Sequence, residues 1–377
     1  MGLAMFAFNR FVARGWGSLQ LLRDIVPQVG RRVAVVIGKG FARRLGYVDR
    51  IVSILRDGGV EARVYEGVEP NPSVSRCNDL GARLREWGCD AVVAFGGGSV
   101  IDAAKAGAAV AKLGRGVETM FYPSIVEDAL PVIAIPTTCG TGSEVTRYAV
   151  VTTDDGTKKL TAVGNPMVPV AAILDPEPLT NLPKDLLAYT AMDALSHAIE
   201  AFTSRRCGAL CEELSLTAAR LVFENLLCAF EGVGLCLERL QVAAYLAGAA
   251  INIAGTNVVH AASYYLTTRH SVHHGHACAV ILPHAVVHLL KALPLTRAER
   301  LMSIARCSDA ECVKMRIAEL ERRVGIEPSL KRLGVSESEL SRYVEDVLSY
   351  RRNLENAPME VDRKVVEEIV RASFRSP

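Results

Sequence analysis

The chain has 377 residues, half of them hydrophobic and 22% charged, with a formal net charge of +2. Such a length exceeds what one hydrophobic core fills, so two domains are expected, and the excess of apolar over charged residues excludes a disordered chain. The small net charge excludes an electrostatic footprint for nucleic acid or an anionic membrane, because basic pairs such as Arg31-Arg32, Lys158-Lys159 and Arg351-Arg352 are interleaved with acids.

Met1 to Arg14 mixes apolar residues with Asn9, Arg10 and Arg14 and lacks the unbroken apolar core of a secretory leader. The longest apolar stretch, Val242 to Gly255, has the length of a buried core helix and falls short of the about 20 residues of a membrane span. A cytoplasmic protein is expected. Ten cysteines occur without a CxxC pair. They read as buried reduced thiols, with disulfides left open for a hyperthermophilic source.

Along the first half, strand and helix signals alternate. Arg32 to Ile37 is a β-branched run followed by Gly38-Lys39-Gly40 and a helical stretch through Arg56. Glu61 to Tyr65 reads as a strand ending in the rigid turn Glu69-Pro70-Asn71-Pro72, and a helix follows from Val74 to Trp87. Ala91 to Phe95 is a buried strand, Gly96 to Ser99 a tight turn, Val100 to Leu113 a helix, and Pro131 to Ile135 another strand. This alternation implies βαβ units and a mostly parallel sheet. From Leu179 onward helical periodicity dominates, through Asp185 to Arg205, Ala209 to Phe230, Leu237 to Ile253 and the segments after Pro294. The expected organisation is an α/β domain over 1–180 and an all-helical domain over 181–377.

Two loops suit a phosphate-bearing ligand. In Phe95-Gly96-Gly97-Gly98-Ser99, three glycines let the backbone turn sharply and approach an anion, and the helix that follows offers free N–H groups. Ser99 reads as its N-cap or as a phosphate ligand. The alternative is a turn with a packing role alone. The spacing differs from G-x-G-x-x-G, and Gly38 stands at the end of the first strand, where an NAD-selective site carries an acid. The second loop, Pro136 to Thr146, holds four threonines, one serine and two glycines, hydroxyl donors suited to ribose and phosphate oxygens. A decorated surface turn is the plainer alternative.

A metal constellation comes next. Asp193 and His197, four apart in a helical stretch, share one face and converge on a single point. Seven of the eight histidines lie between His260 and His288. Three imidazoles and a carboxylate make an N₃O set suited to iron(II) or zinc(II), but His270, His273, His276, His284 and His288 compete with His260 and His274 for the role.

These residues resemble the iron-containing (group III) alcohol dehydrogenase family. The resemblance is carried by GGGSVID (96–102), PTTCGTGSEVT (136–146), Lys158-Lys159, LDP (174–176), DALSHAIEAF (193–202), and His260 followed fourteen residues later by His274-Gly275. It extends over essentially the whole chain. It implies an N-terminal dinucleotide-binding α/β domain and a C-terminal all-α domain, the dehydroquinate synthase-like fold, with a metal held by Asp193, His197, His260 and His274. It places Gly38, Asn71, Gly97, Gly98, Ser99, Thr137, Thr138, Thr146 and Lys159 around the cofactor. The activity implied is hydride transfer between a nicotinamide and a small alcohol or aldehyde, with Asp193, His260 and His274 acting through Fe(2+) or Zn(2+), in a homo-oligomer, a dimer or larger.

Two departures stand out. Many members carry a second histidine four residues after the third ligand, where this chain has Tyr264; and Gly38 replaces the acid of NAD-selective members, which favours NADP(H) over NAD(H). Competing readings are a glycerol, glycerol-1-phosphate or dehydroquinate synthase-like enzyme on the same scaffold, which His197 opposes, and a non-catalytic metal- or nucleotide-binding protein.

Overall fold

The computed structural model describes residues 6–375, so the reading of Met1 to Arg14 for a leader falls partly outside the described residues. By internal contacts the chain divides into two compact units. One runs to Thr138 and resumes over Gly142–Asn181; the other holds Cys139–Thr141 and everything from Leu182 onward.

The strands of the first unit are β1 (Phe11–Arg14), β2 (Arg32–Gly38), β3 (Glu61–Val68), β4 (Ala91–Gly96), β5 (Val132–Pro136), β6 (Tyr148–Thr152), β7 (Lys159–Val163) and β8 (Ala171–Leu174). Its helices are α1 (Leu22–Ile25), α2 (Phe41–Arg44), α3 (Tyr47–Asp57), α4 (Val74–Glu86) and α5 (Gly98–Leu113). Six strands form a wholly parallel sheet in the order β1-β8-β5-β4-β2-β3, while β6 and β7 make a separate antiparallel hairpin.

Parallel strands are covered on both faces, which is why β2, β4 and β5 are continuous apolar runs. Val33, Val35, Ile37, Val93 and Phe95 pack on one side with Ile51 and Leu55 of α3. The alternate residues Ala34, Val36, Val92 and Ala94 pack on the other with Leu80 and Leu84 of α4 and Ile101 and Ala104 of α5. Each fully buried aliphatic side chain contributes about 1.5–3 kcal/mol. Between β2 and β4 the strand order reverses, since β2 connects outward to β3 and the chain then returns to β2's other side. In open α/β sheets ligands bind beyond the carboxyl ends of the strands at such a reversal. Here those ends are Gly38 and Gly96.

The second unit is built from α6 (Lys184–Thr203), α7 (Ala209–Phe230), α8 (Gly234–Ala254), α9 (Val258–Arg269), α10 (His274–Lys291), α11 (Leu295–Ala305), α12 (Ala310–Arg323), α13 (Leu340–Ser349), α14 (Arg351–Leu354) and α15 (Arg363–Phe374). Several starts are fixed by side-chain caps: Asp309 accepts from Cys312 N at 2.8 Å and Asp362 from Val365 N at 2.9 Å, each cap worth about 1 kcal/mol. Among the described residues one helix, Gly234–Ala254, is long and apolar enough to cross a membrane, yet most of it is buried within the unit.

The expectation of reduced thiols needs correction. Cys207–Cys211, Cys228–Cys236 and Cys307–Cys312 form disulfides, whereas Cys77, Cys89, Cys139 and Cys278 take part in no disulfide. The pairs are only 4, 8 and 5 residues apart. Each brackets a helix end where the chain turns, and the turn brings the two cysteines together.

Candidate metal centre and nucleotide-binding turn

In the helical unit three imidazoles surround one carboxylate oxygen. The Nε2 atoms of His260, His197 and His274 lie 3.5, 3.8 and 3.9 Å from Asp193 Oδ1. Asp193 and His197 stand one turn apart on α6, His260 is in the first turn of α9, and His274 opens α10. The backbones approach closely to achieve this. A Cβ on Gly140 would meet Thr190 O at 2.5 Å, and one on Gly275 would collide with the Tyr189 carbonyl of α6.

Each imidazole is held from behind. His197 Nδ1 faces the Gly140 carbonyl at 3.2 Å, and His274 Nδ1 faces Ser263 Oγ at 3.4 Å. His260 Nδ1 is in close contact with Glu200 Oε2. The other oxygen of Glu200 accepts hydrogen bonds from Asn257 N and Val259 N, both at 2.8 Å, so this buried carboxylate also anchors the start of α9. A proton on Nδ1, donated to a carbonyl or carboxylate, leaves the Nε2 lone pair free.

The donor set therefore fits a divalent cation. Asp193 Oδ1 is buried without a hydrogen-bond partner, which is costly for a carboxylate oxygen unless a cation faces it. Burial by itself raises the Asp193 carboxyl, but the neighbouring His197, His260 and His274 outweigh it and hold the group well below the usual carboxylate range. Side-chain exposure is 2% for Asp193, 4% for His260 and 6% for His197 against 25% for His274, so the centre opens on the His274 side.

A fifth donor, overlooked from sequence, is Cys278. Its Sγ is 3.9 Å from Nε2 of both His260 and His274, and its donor atom and those of Asp193, His260 and His274 all lie within 4.8 Å of one another. His197 falls outside that quartet. The signal was present in the sequence, because Cys278 follows His274 by four residues and shares its helical face.

The remaining histidines stand elsewhere. His276 stacks on Tyr189 at 4.6 Å and its Nε2 meets Glu327 O at 2.9 Å; His273 stacks on the same tyrosine at 5.5 Å. His270 pairs with Glu339 and His288 with Glu368. Burial pulls His284 down to about 4. Tyr264 packs along His274, ring centres 6.1 Å apart, and against Tyr350. Cys139 contacts Thr190 Oγ1 at 3.5 Å.

In the α/β unit, Gly38, Gly97, Gly98, Ser99, Thr137 and Thr138 follow or end the strands β2, β4 and β5. Gly97 caps α5, so the reading of Ser99 as N-cap is corrected. Ser99 instead lies within the helix, where its Oγ accepts a hydrogen bond from Asn71 N at 3.1 Å. Thr137 N donates to Gly96 O at 3.0 Å, and Thr138 lies against Gly97, within 3.2 Å of where a Cβ would stand. Gly98 is the first residue of α5, where free N–H groups and the helix dipole favour an anion. Thr146 is pinned by Lys105, whose buried Nζ donates to Thr146 O, Thr146 Oγ1 and Ser143 O. Nearby, burial pushes the Glu144 carboxyl up to about 7. Lys159 pairs with Thr152, whose N–H donates to Pro72 O next to Asn71. Gly38 ends β2.

A parallel sheet with a glycine turn at its reversal point suits a phosphate-bearing ligand, and the buried Asp/His cluster of the helical unit offers donors for a metal ion. The comparisons make this specific. Residues 9–176 match the iron-containing alcohol dehydrogenase model and residues 187–374 the C-terminal model of the same family. The NADPH-dependent butanol dehydrogenase of Clostridium saccharobutylicum is 31% identical, with 92% of this chain and 90% of that one covered. The 1,3-propanediol dehydrogenase of Citrobacter freundii is 34% identical, with 92% of each covered. The NAD-dependent methanol dehydrogenase of Bacillus methanolicus is 30% identical, with 86% and 88% covered. The crystal structure of a 1,3-propanediol oxidoreductase superposes with a TM-score of 0.92 at 30% identity, over 99% of this chain and 100% of that one.

The chain belongs to the iron-containing alcohol dehydrogenase family. It is an oxidoreductase of the alcohol dehydrogenase class that uses a nicotinamide cofactor.

Proposed function

We propose that Asp193, His197, His260 and His274 hold a divalent metal, iron(II) by family and zinc(II) by the same donors, and that the enzyme interconverts a small alcohol and its aldehyde with NADP(H) preferred over NAD(H). The observation that carries this reading is the convergence of three rear-held Nε2 atoms on the unpartnered Asp193 oxygen. In this assignment residues 1–180 bind the dinucleotide through Gly38, Asn71, Gly97, Gly98, Ser99, Thr137, Thr138, Thr146 and Lys159, and residues 181–377 supply the metal ligands.

The division of labour follows from the chemistry. Oxidation of an alcohol passes a hydride to the nicotinamide and releases a proton; the metal, when bound, supplies Lewis acidity. The protein's own groups set position. Glu200, Gly140 and Ser263 fix the imidazole orientations, and Gly98 with the first turn of α5 receives the pyrophosphate. Burial of Asp193, His197 and His260 excludes water from all but the His274 side. No imidazole stands at Tyr264 to carry the proton as in many relatives.

NADP(H) is favoured because nothing at Gly38 repels a 2′-phosphate, and the exposed Lys39 and Arg44 stand just beyond the strand. Arg43 is less suited, being paired with Glu66 at 2.9 Å. A cytoplasmic homo-oligomer is part of the same reading. The edge strand β1, with Val12 47% exposed and Trp16 49% exposed close by, offers an apolar surface for a second copy.

The test is turnover by metal-depleted protein reconstituted with iron(II) or zinc(II), followed at the nicotinamide absorbance over a panel of alcohols and aldehydes with both cofactors. Metal-dependent turnover of a small primary alcohol or its aldehyde is the expected result. Equal turnover in the metal-free protein overturns the reading.

A further inference from the structure

The fifth donor of the metal centre has no role in the reading above. Cys278 is buried on α10, one turn beyond His274, and its sulfur lies 3.9 Å from two imidazole nitrogens already aimed at Asp193. Donors bound to one ion at about 2.0–2.3 Å in a tetrahedron stand about 3.3–3.8 Å apart. In the quartet of Asp193, His260, His274 and Cys278, four of the six separations are 3.5 to 3.9 Å, close to that spacing, and all lie within 4.8 Å. His260 turns Nε2 to Cys278, its Nδ1 being in contact with Glu200. The bland alternative is a thiol that packs in the core and donates a weak hydrogen bond to an imidazole.

We propose that Cys278 is a fifth, sulfur ligand to the metal held by Asp193, His197, His260 and His274, and that it shifts the centre's preference from iron(II) towards zinc(II). The proposal rests on the assignment of that metal site. On binding, the S–H bond breaks, its proton passes to solvent, and a sulfur–metal bond forms with no change of oxidation state. Thiolate is softer than the carboxylate and imidazole beside it, and softer ligands favour zinc over iron(II) in a site of this type.

Cobalt(II) reports a sulfur ligand directly, through a thiolate-to-metal charge-transfer absorption in the near ultraviolet that nitrogen and oxygen ligands do not give. The metal-depleted full-length protein, loaded with one equivalent of cobalt(II), should show this band. Cys278→Ser, close to isosteric, and Cys278→Ala should bind cobalt but lose the band, and their zinc-to-iron(II) affinity ratio should fall about tenfold or more. Cobalt bound at full stoichiometry by the wild type without the band overturns the proposal while leaving the metal site standing. A band that persists in Cys278→Ser comes from another cysteine and overturns it equally. Failure of the wild type to bind cobalt, or full cobalt retention in His260→Ala, overturns both this proposal and the site assignment.

Discussion

Glu200 holds His260 from behind: one carboxylate oxygen meets the imidazole Nδ1 while the other accepts the first N–H groups of α9, at 2.8 Å from Asn257 N and Val259 N. One buried residue thus sets both where the ligand's helix begins and which ring nitrogen faces Asp193. Removing such an outer partner of a metal-bound histidine typically costs 10- to 100-fold in metal affinity. Glu200→Gln should therefore weaken zinc or iron(II) binding by about that factor, measured by competition with a chromophoric chelator. It should leave the helical content unchanged. An affinity within about twofold of wild type would show that Glu200 only anchors the helix.

Gly38 carries the proposed preference for NADP(H). A Cβ at this position would meet Val100 Cγ2 at 3.4 Å and Val68 O at 3.5 Å, ordinary contacts, so Gly38→Asp should fold. The new carboxylate would accept ribose hydroxyls and repel a 2′-phosphate. The ratio of kcat/KM for NADP(H) to that for NAD(H) should fall by about tenfold or more, equivalent to about 1.4 kcal/mol. Comparable efficiency with both cofactors in the wild type, unchanged in Gly38→Asp, would show that this strand end does not set the choice.

Glu321, buried on α12 with neither carboxylate oxygen hydrogen-bonded, is raised by burial well above its ordinary value of 4.5. Below that value the group is protonated in both states and makes no difference. As pH rises above it, the unfolded chain gives up the proton while the folded chain keeps it, so stability falls, by at most about 1.4 kcal/mol per pH unit, until the raised folded value is reached. Glu321→Gln removes this slope. The difference in thermal midpoint, variant minus wild type, should grow from pH 5 to pH 8, and a constant difference would contradict the assignment.

The fold was legible where residue pattern and burial coincide. The runs of β2, β4 and β5 are apolar because both faces of a parallel sheet are covered, and Ala209–Phe230 has the extent its periodicity suggests. The hairpin β6–β7 gave no such signal, since neither strand is a continuous buried run and Thr152, Lys159 and Thr161 interrupt the apolar residues. Strand β1 is only four residues long at a sheet edge, and its pattern is lost among the polar residues beside it. At the centre, helical spacing was enough to bring Asp193 and His197 together. It could not choose among distant histidines, because that depends on how α9 and α10 pack against α6. Cys278 escaped notice because a buried cysteine reads as core until its neighbours in space are known.

The central claim is that Asp193, His197, His260 and His274 together hold one metal ion, and bound metal per chain measures it most directly. After loading with iron(II) or zinc(II) and exhaustive dialysis, the wild type should retain about one ion per chain by elemental analysis. His197→Ala and His260→Ala should lose most of it, and with it the activity, while keeping the circular dichroism spectrum of the folded protein. Wild-type metal content together with retained activity in either variant would contradict the account.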